Sequence, residues 1–293
     1  MSAEIVQFSR LIELPNSEFI FGRTAGMCEV RKRVEGALQD DLPVLIEGES
    51  GTGKEVIGRF LHQHSRWAKG PFIKLNCGAM PARLLEEEIF GDGQGAENGE
   101  RPVRSGSRTQ APGATLFLDE VGDLDIALQR RLMQALESSG SRSAPGPEYQ
   151  STRERRFICA TSIDLESALE DRPFLQELLA CFGQRRVVLV PLRERKEDIP
   201  QLCDYLIQKF ARDFSRPAPK LSSYAVEAFQ QWKWPGNIRE LENWIARIVI
   251  FGTEEVIGRD FRRQLVDWGA VPPRRHRALR MKTERPRRGR GGR

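Results

Sequence analysis

The stretch Val44-Leu-Ile-Glu-Gly-Glu-Ser-Gly-Thr-Gly-Lys-Glu55 determines how the rest of the sequence is interpreted. Its apolar start predicts a buried strand, and a helical pattern over residues 54–64 follows the glycine-rich turn without a gap. Gly48, Gly53 and Lys54 have the spacing G-x-x-x-x-G-K, in which glycines let backbone N–H groups converge on phosphate oxygens. The helix N-terminus adds partial positive charge, and the lysine reaches the outer phosphates. The stretch therefore predicts a nucleotide-binding loop between a strand and a helix.

Thr115-Leu-Phe-Leu-Asp-Glu120 is the second stretch with strong chemical content, because its apolar residues run directly into two adjacent carboxylates. Ligands gather at the carboxyl ends of strands in open α/β sheets, so we expect both carboxylates near the glycine-rich loop. Asp119 is suited to hold Mg²⁺, directly or through water. Glu120 is suited to orient and activate the water that attacks a terminal phosphate.

A later apolar run, over residues 156–161, ends in two hydroxyl residues, Thr161 and Ser162. At the end of a parallel strand such hydroxyls can sense a γ-phosphate. The alternative is that they cap the next helix, and for Ser162 the two interpretations have equal weight.

Strand and helix patterns alternate up to residue 191 and become purely helical beyond it. This order predicts an α/β fold with a five-stranded parallel sheet flanked by helices, followed by a small all-helical lid domain. The predicted strands cover residues 44–46, 72–75, 115–120, 156–161 and 186–190. The predicted regions are a leader (1–19), an α/β nucleotide-binding domain (20–191), the lid domain (192–260) and a basic tail (261–293).

Composition narrows the class of protein. Hydrophobic residues make up 39% of the 293 residues and charged residues 30%, which is ordinary for a soluble globular chain. No apolar run approaches the ~20 residues that cross a bilayer, and the N-terminus lacks the pattern of a secretory signal. The five cysteines include no C-x-x-C pair, which favours reduced thiols over disulfides or a metal site. We therefore expect a cytoplasmic protein without a membrane partner.

The net charge of +5 is unevenly distributed. Residues 272–293 contain nine Arg and one Lys against one Glu, a charge of +9, which leaves −4 for the rest of the chain. Such a Pro/Gly/Arg-rich segment cannot build a core. Nucleic acid binding through phosphates and a disordered end that aids solubility are equally good interpretations of it.

Six runs of residues together resemble the AAA+ domain of bacterial enhancer-binding proteins, the ATPases that activate sigma-54 RNA polymerase. They lie within residues 20–252 and are GESGTGKE (48–55), NC (76–77), EIFG (88–91), TLFLDEVG (115–122), PLRERKEDI (191–199) and WPGNIRELEN (234–243). The resemblance also accounts for Glu55, because this family carries Glu after the loop lysine, where the general pattern has a Ser or Thr hydroxyl for Mg²⁺.

The resemblance implies a role for each matched position, with ATP and Mg²⁺ as cofactors. Asp119 and Glu120 keep the roles given above, and Asn76 restrains Glu120 until nucleotide and target are sensed. Arg239, on a lid helix, reaches back to the nucleotide; a surface ion pair with one of the neighbouring glutamates is the alternative. The positions expected to bind nucleotide are Gly48, Glu49, Ser50, Gly51, Thr52, Gly53, Lys54, Glu55, Thr161 and Arg239.

One departure from the family concerns the loop that touches the sigma factor, which the family builds on the sequence G-A-F-T-G-A. Here the matching residues are Gly95-Ala-Glu-Asn-Gly-Glu100, inside a polar stretch over residues 91–113 that is long enough to be functional or mobile. Glu97 replaces the aromatic anchor and cannot fill an apolar pocket without burying a charge. We therefore expect no sigma-54 contact of the family kind through this loop.

A second departure concerns the arginine fingers that the family supplies to a neighbouring subunit from a motif like F-R-x-D-L-Y-Y-R. Leu175 and Cys181 stand at the two arginine positions of this sequence. Loss of such a finger costs on the order of 10³–10⁵ in the rate of phosphoryl transfer. A third departure is Ser162, which stands where the family usually has Asn.

Three functions therefore remain open at the level of sequence. The first is an oligomeric AAA+ ATPase that remodels sigma-54 RNA polymerase to regulate transcription. The second is a regulatory protein that binds ATP, hydrolyses it poorly and acts as a partner or inhibitor of true activators. In either case we expect a homo-oligomer, or a hetero-oligomer with related AAA+ subunits. The third is a nucleic-acid-binding accessory protein that acts through the tail at 272–293.

Overall fold

The computed structural model describes residues 7–8, 14–90, 113–139, 155–163 and 173–254. Within these ranges the strands are β1 (Gln7–Phe8), β2 (Val44–Glu47), β3 (Phe72–Asn76), β4 (Thr115–Asp119), β5 (Arg156–Thr161) and β6 (Arg186–Val188). The α-helices are α1 (Ser17–Phe21), α2 (Ala25–Gly36), α3 (Lys54–Gln63), α4 (Ala82–Phe90), α5 (Ile126–Ser139), α6 (Pro173–Phe182), α7 (Ile199–Asp213), α8 (Ser223–Gln231) and α9 (Asn237–Phe251). The predicted loop at 91–112, with the altered stretch 95–100, and the basic tail lie outside the described residues.

The strands form one sheet in the order β1-β3-β4-β5-β2-β6. The five strands from β2 to β6 pair in parallel, so the predicted five-stranded parallel sheet is confirmed. The sixth strand was not predicted: Gln7 and Phe8, within the supposed leader, pair antiparallel with the β3 edge. A segment of two residues is too short to show an alternating apolar pattern. Gln7 and Phe8 are a strand because their backbone pairs with the edge of β3.

Side chains on opposite faces of the sheet enter two separate apolar clusters, because successive residues of a strand point to opposite faces. On one face, Leu116, Leu118 and Cys159 pack with residues of α4, α5 and α6. On the other face, Phe117 and Ile158 pack with residues of α2 and α3. Burial on both faces explains the continuous apolar runs that predicted these strands.

Helices α7, α8 and α9 follow the last strand, and α8 and α9 both pack on α7. The N-terminal part of the chain is tied to them through Asp198, which accepts the N–H of Arg23 at 2.8 Å and the hydroxyl of Thr24 at 3.0 Å. The Phe19 and Tyr205 rings add a contact with centroids 4.7 Å apart. No helix in the described ranges is long and apolar enough to cross a membrane.

His62 of α3 is a buried titratable group beneath the sheet. Its Nδ1 lies 2.8 Å from the hydroxyl oxygen of Thr115, and its ring meets Phe72 edge-on. Burial lowers the pKa of His62 to about 4, and the charges of Arg156 and Arg59 act in the same direction. The imidazole is therefore neutral in the folded protein near neutral pH.

Replacement of His62 by Gln should reduce the dependence of the free energy of unfolding on pH below about pH 7.5. Because the pKa of the folded state is about 4 and that of an unperturbed His about 6.5, the unfolded chain takes up the proton first. Stability is thus lost as the pH falls through this window, by about 2 kcal/mol between about pH 7.5 and pH 5. Urea unfolding at both pH values measures the difference, with His64→Gln, at the exposed C-cap of the same helix, as control. Equal pH dependence in His62→Gln and the wild type would contradict the assignment.

Candidate nucleotide-binding site

The amine of Lys54 joins the glycine-rich loop to the end of β4. Its Nζ donates to the carbonyl oxygens of Gly48 at 2.7 Å and Glu49 at 3.3 Å, and lies 3.7 Å from Oε1 of Glu120. The side chain is only 7% exposed. Burial lowers the pKa of Lys54, and the charges of Glu120 and Asp119 oppose this effect. The structure thus brings together the lysine and the carboxylates that the two sequence stretches predicted.

The loop before α3 has a backbone that suits phosphate oxygens. Gly48, Gly51 and Gly53 all have positive φ, at 148°, 79° and 104°, which side-chain-bearing residues rarely adopt. A Cβ on Gly51 would also collide with the carbonyl oxygen of Gly236. Gly53 is the N-cap of α3 and provides no side-chain acceptor for the first N–H groups of the helix. Those N–H groups and the helix dipole favour a bound anion.

Lys74 of β3 lies between the predicted metal ligand and Glu55. Its Nζ is 2.9 Å from Asp119 Oδ2 and 2.9 Å from Glu55 Oε2, while Glu55 also accepts two bonds from Arg59. Burial disfavours both charges, but the ion pairs outweigh it, so the pKa of Lys74 is raised and that of Glu55 lowered. Sequence reasoning missed Lys74, although a lysine inside an otherwise apolar strand was a usable signal.

Asp119 is the group that could take a magnesium ion, with 17% of its side chain exposed at the end of β4. No set of three or more His, Cys, Asp or Glu residues in the described ranges could hold a metal unaided. A magnesium site at a nucleotide needs only one or two carboxylates, because phosphate oxygens and water complete the coordination. Asp119 fits such a site, because Lys74 contacts only its Oδ2, whereas Glu55 is engaged with both Arg59 and Lys74.

Glu120 follows β4 in a left-handed conformation, with φ 57° and ψ 51°. Its Oε2 accepts the N–H of Ser162 at 2.7 Å and the Ser162 hydroxyl at 2.8 Å. Asn76 makes no hydrogen bond to Glu120 in the described part of the chain; its side-chain oxygen accepts the Gly78 N–H at 3.1 Å. The hydroxyl of Thr161 is buried and accepts the Ile163 N–H at 3.2 Å. The hydroxyl of Thr161 thus serves the local turn to residue 163, and Ser162 is the residue that reaches Glu120.

The start of α9 sits directly against the glycine-rich loop. The N–H of Ile238 donates to the Gly51 carbonyl at 2.9 Å, and Nη1 of Arg239 donates to the Ser50 hydroxyl at 3.1 Å. Neither Glu240 nor Glu242, both within the described ranges, forms an ion pair with Arg239. The surface-pair alternative is therefore not what the structure shows.

Two further residues that sequence reasoning missed fasten the helical part of the chain to Glu49. Arg193 binds the Glu49 carboxylate through both terminal nitrogens, at 2.8 and 2.7 Å, and lowers the pKa of Glu49. Asn237 is fully buried; its amide nitrogen donates to Glu49 Oε2 and to the Ser50 carbonyl, and its oxygen accepts the Leu192 N–H at 2.8 Å. Arg193 lies in the run PLRERKEDI and Asn237 in the run WPGNIRELEN, both of which resemble the family.

Arg195 adds a buried cation behind the loop. It is 1% exposed, and its Nη2 donates to the Thr52 carbonyl at 3.2 Å. Burial lowers its pKa to about 10, so it remains charged near neutral pH.

Cys181 occupies one of the expected arginine-finger positions, on α6. Its thiol lies 3.5 Å from the Glu177 carbonyl oxygen and 4.0 Å from Glu137 Oε1, and burial raises its pKa. This position therefore offers no cation. The side chain of Leu175, at the other expected arginine-finger position, lies outside the described part of the structure.

Two models of known protein families match this chain. The model of the sigma-54 interaction domain matches residues 20–186, more than half of the chain. The chain belongs to the sigma-54 interaction domain family. A second model, the AAA+ ATPase lid domain, matches residues 193–267 of this family member. The resemblance drawn from the six sequence runs is thereby confirmed.

Curated relatives of this sigma-54 interaction domain include two regulators. It is 38% identical over 239 residues to the regulatory protein AtoC of Escherichia coli K12, covering 81% of this chain and 51% of AtoC. It is 38% identical over 264 residues to the DNA-binding transcriptional regulator NtrC of Klebsiella pneumoniae, covering 89% and 55% of the two chains. The chain spans about half the length of these relatives.

Solved structures show the same fold. NtrX from Brucella abortus in complex with ATP matches with a TM-score of 0.66 and 25% identity, covering 83% of this chain and 52% of NtrX. The NtrX complex with ADP matches with a TM-score of 0.64 and 28% identity, covering 79% and 51%.

Replacement of Asn237 by Gly should destabilise the protein by about 1–3 kcal/mol, because the buried Leu192 N–H loses its acceptor. Glycine tolerates the φ of 52° at this position, so the loss reports the amide and not backbone strain. Urea unfolding measures the change. The control is Gln230→Ala, which removes an amide bond to the Lys196 carbonyl at the surface and should cost less than about 0.5 kcal/mol. Equal effects of the two substitutions would contradict the role given to Asn237.

Proposed function

We propose that this protein binds Mg-ATP and regulates transcription as an AAA+ protein of the sigma-54 activator type. The observation that supports this most directly is the convergence of Lys54, Asp119 and Glu120 at the carboxyl ends of β2 and β4. Lys54 Nζ lies 3.7 Å from the Glu120 carboxylate, beside a loop whose three glycines have positive φ. A strand–turn–helix with a purely structural role does not need a lysine and carboxylates at this loop. Binding of a triphosphate with Mg²⁺ does need them.

Each residue then has a separate task. Lys54 and the N–H groups at the start of α3 bind phosphate oxygens, and Asp119 binds Mg²⁺. Glu120 orients water and accepts its proton. Bound Mg-ATP would supply the phosphoanhydride whose cleavage provides the free energy for remodelling.

The helical part of the chain responds to the nucleotide in this proposal. Arg239 lies at the loop through Ser50, exposed and without an ion pair to Glu240 or Glu242, and so is available for a phosphate. Arg193 and Asn237 bind Glu49 of the same loop. A change in the loop around phosphate is therefore transmitted to α9, and residues 192–260 act as a lid.

The partner of the first proposal is sigma-54 RNA polymerase, engaged by an oligomer of this chain in the cytoplasm. The family assignment supports the partner, and five free thiols support a reducing compartment. The residues that would correspond to the family's sigma-contacting loop, 95–100, carry Glu97 in place of an aromatic anchor. We therefore propose that the contact with polymerase does not depend on an aromatic anchor in this loop.

A second candidate function is a regulatory partner that binds ATP without rapid hydrolysis. The environment of Cys181 favours it, because a thiol between Glu137 Oε1 and the backbone carbonyl of Glu177 cannot supply positive charge to a neighbouring subunit. In this case related AAA+ subunits would provide the missing arginines in a hetero-oligomer. The third interpretation, nucleic acid binding by residues 272–293, concerns a segment outside the described residues.

Substitution of Lys54 by Ala should weaken ATP binding by roughly 10- to 100-fold, since one charged hydrogen-bond donor is lost. Substitution of Glu120 by Gln should leave ATP affinity intact and reduce turnover by about 10²–10⁴. Calorimetry with Mg-ATP and a phosphate-release assay measure the two effects separately. The exposed Lys220→Ala is the matched control. Wild-type affinity in Lys54→Ala would reject the proposed site.

Turnover measured against protein concentration distinguishes the two candidate functions. A self-sufficient ring should show turnover that rises with concentration as subunits assemble. A chain without its own arginine fingers should show turnover lower by on the order of 10³–10⁵ at every concentration, with ATP binding retained. Fast, concentration-dependent turnover that disappears in Lys54→Ala would reject the regulatory-partner function.

A further inference from the structure

The carboxylate of Glu120 is bound at one oxygen by a single residue of the neighbouring strand. Ser162 follows β5 as Glu120 follows β4, and these two strands pair in parallel. The Ser162 N–H and hydroxyl both donate to Oε2, at 2.7 and 2.8 Å, while Oε1 faces the Lys54 amine at 3.7 Å. Hydrogen bonds to an ionised acceptor at these distances belong to the strong class.

The two bonds from Ser162 leave Oε2 without capacity for water. A carboxylate oxygen offers two lone-pair sites, and the N–H and the hydroxyl fill both. The backbone of Glu120 is held in a region that non-glycine residues rarely occupy, at φ 57°. Such a conformation persists only where the surroundings determine it.

Asn76 does not hydrogen-bond to Glu120 in the same arrangement of the described residues. Its side-chain oxygen accepts the Gly78 N–H, and so it shapes the turn after β3. Between Asn76 and Ser162, only Ser162 hydrogen-bonds to Glu120 in the described residues.

We propose that Ser162 is a positioning residue whose hydroxyl restrains Glu120 and must release Oε2 before that oxygen can orient water. This inference rests on the proposed function of Glu120 as the group that activates water. The restraint lies at the end of β5, at the position where the family pattern has Asn and this sequence has Ser.

Turnover should rise when the hydroxyl is removed. Ser162→Ala keeps the N–H donor and loses the hydroxyl, so we expect turnover to increase roughly three- to tenfold, the effect of one net hydrogen bond. Nucleotide affinity should not change, because the bonds of Ser162 are to Glu120 and not to the glycine-rich loop. Ser162→Thr restores a hydroxyl and should return turnover to the wild-type value. Ser17→Ala, which removes a solvent-exposed hydrogen bond to Asn16, should leave turnover unchanged. A fall in turnover in Ser162→Ala at unchanged affinity would overturn the restraint.

Amide hydrogen exchange tests the contact without any need for hydrolysis. Glu120→Gly removes the carboxylate and tolerates the φ of 57°, so exchange at the residue 162 amide should accelerate at least threefold while the amides of β5 stay protected. A saturating non-hydrolysable ATP analogue with Mg²⁺ should accelerate the same amide in the wild type. Unchanged exchange in Glu120→Gly would overturn the proposal. If the wild type binds the analogue but shows no turnover, the proposed ATP hydrolysis is wrong. The exchange rate of the residue 162 amide in Glu120→Gly then tests the contact between Ser162 and Glu120 by itself.

Discussion

A buried ammonium group connects the parts of this site. The Lys54 amine is largely shielded from water, and burying a cation is unfavourable unless oxygen atoms surround it. Those oxygens come from two sources, the carbonyls of Gly48 and Glu49 in the loop and the carboxylate of Glu120 at the end of β4. One charge therefore ties the loop to the edge of the sheet, and every other polar contact of the site is arranged around that junction.

Polar groups join the helical part of the chain to this junction. The Glu49 carboxylate meets Arg193 and Asn237, and the Gly51 carbonyl meets the start of α9. Such contacts depend on geometry and charge, both of which a phosphate group would alter. The same edge of the sheet contains a second charge cluster, Lys74 with Glu55 and Asp119, and a third contact, Ser162 with Glu120. Nucleotide chemistry and lid position can thus be coupled without a long chain of intermediates.

The sequence predicted the five parallel strands because each is an apolar run that must be buried on both faces, a property that is local and readable. It predicted Lys54, Asp119 and Glu120 because their residue types and positions at strand ends restrict the chemistry they can perform. It did not predict β1, since pairing of Gln7 and Phe8 depends on the neighbouring edge. It also missed Lys74, Arg193 and Asn237, whose partners lie far away in the chain; Asn237 and Glu49 are 188 residues apart.

Residue type and spacing alone determined the fold class, the glycine-rich loop, the carboxylate pair and the family to which the chain belongs. Each of these is fixed by backbone freedom, burial or charge within a short segment. Tertiary structure alone decided which donor occupies the Glu120 carboxylate, Ser162 and not Asn76, and which residues fasten α9 to the loop. Both strand ends supply a polar side chain of suitable reach, so only the relative placement of β3, β4 and β5 selects between them.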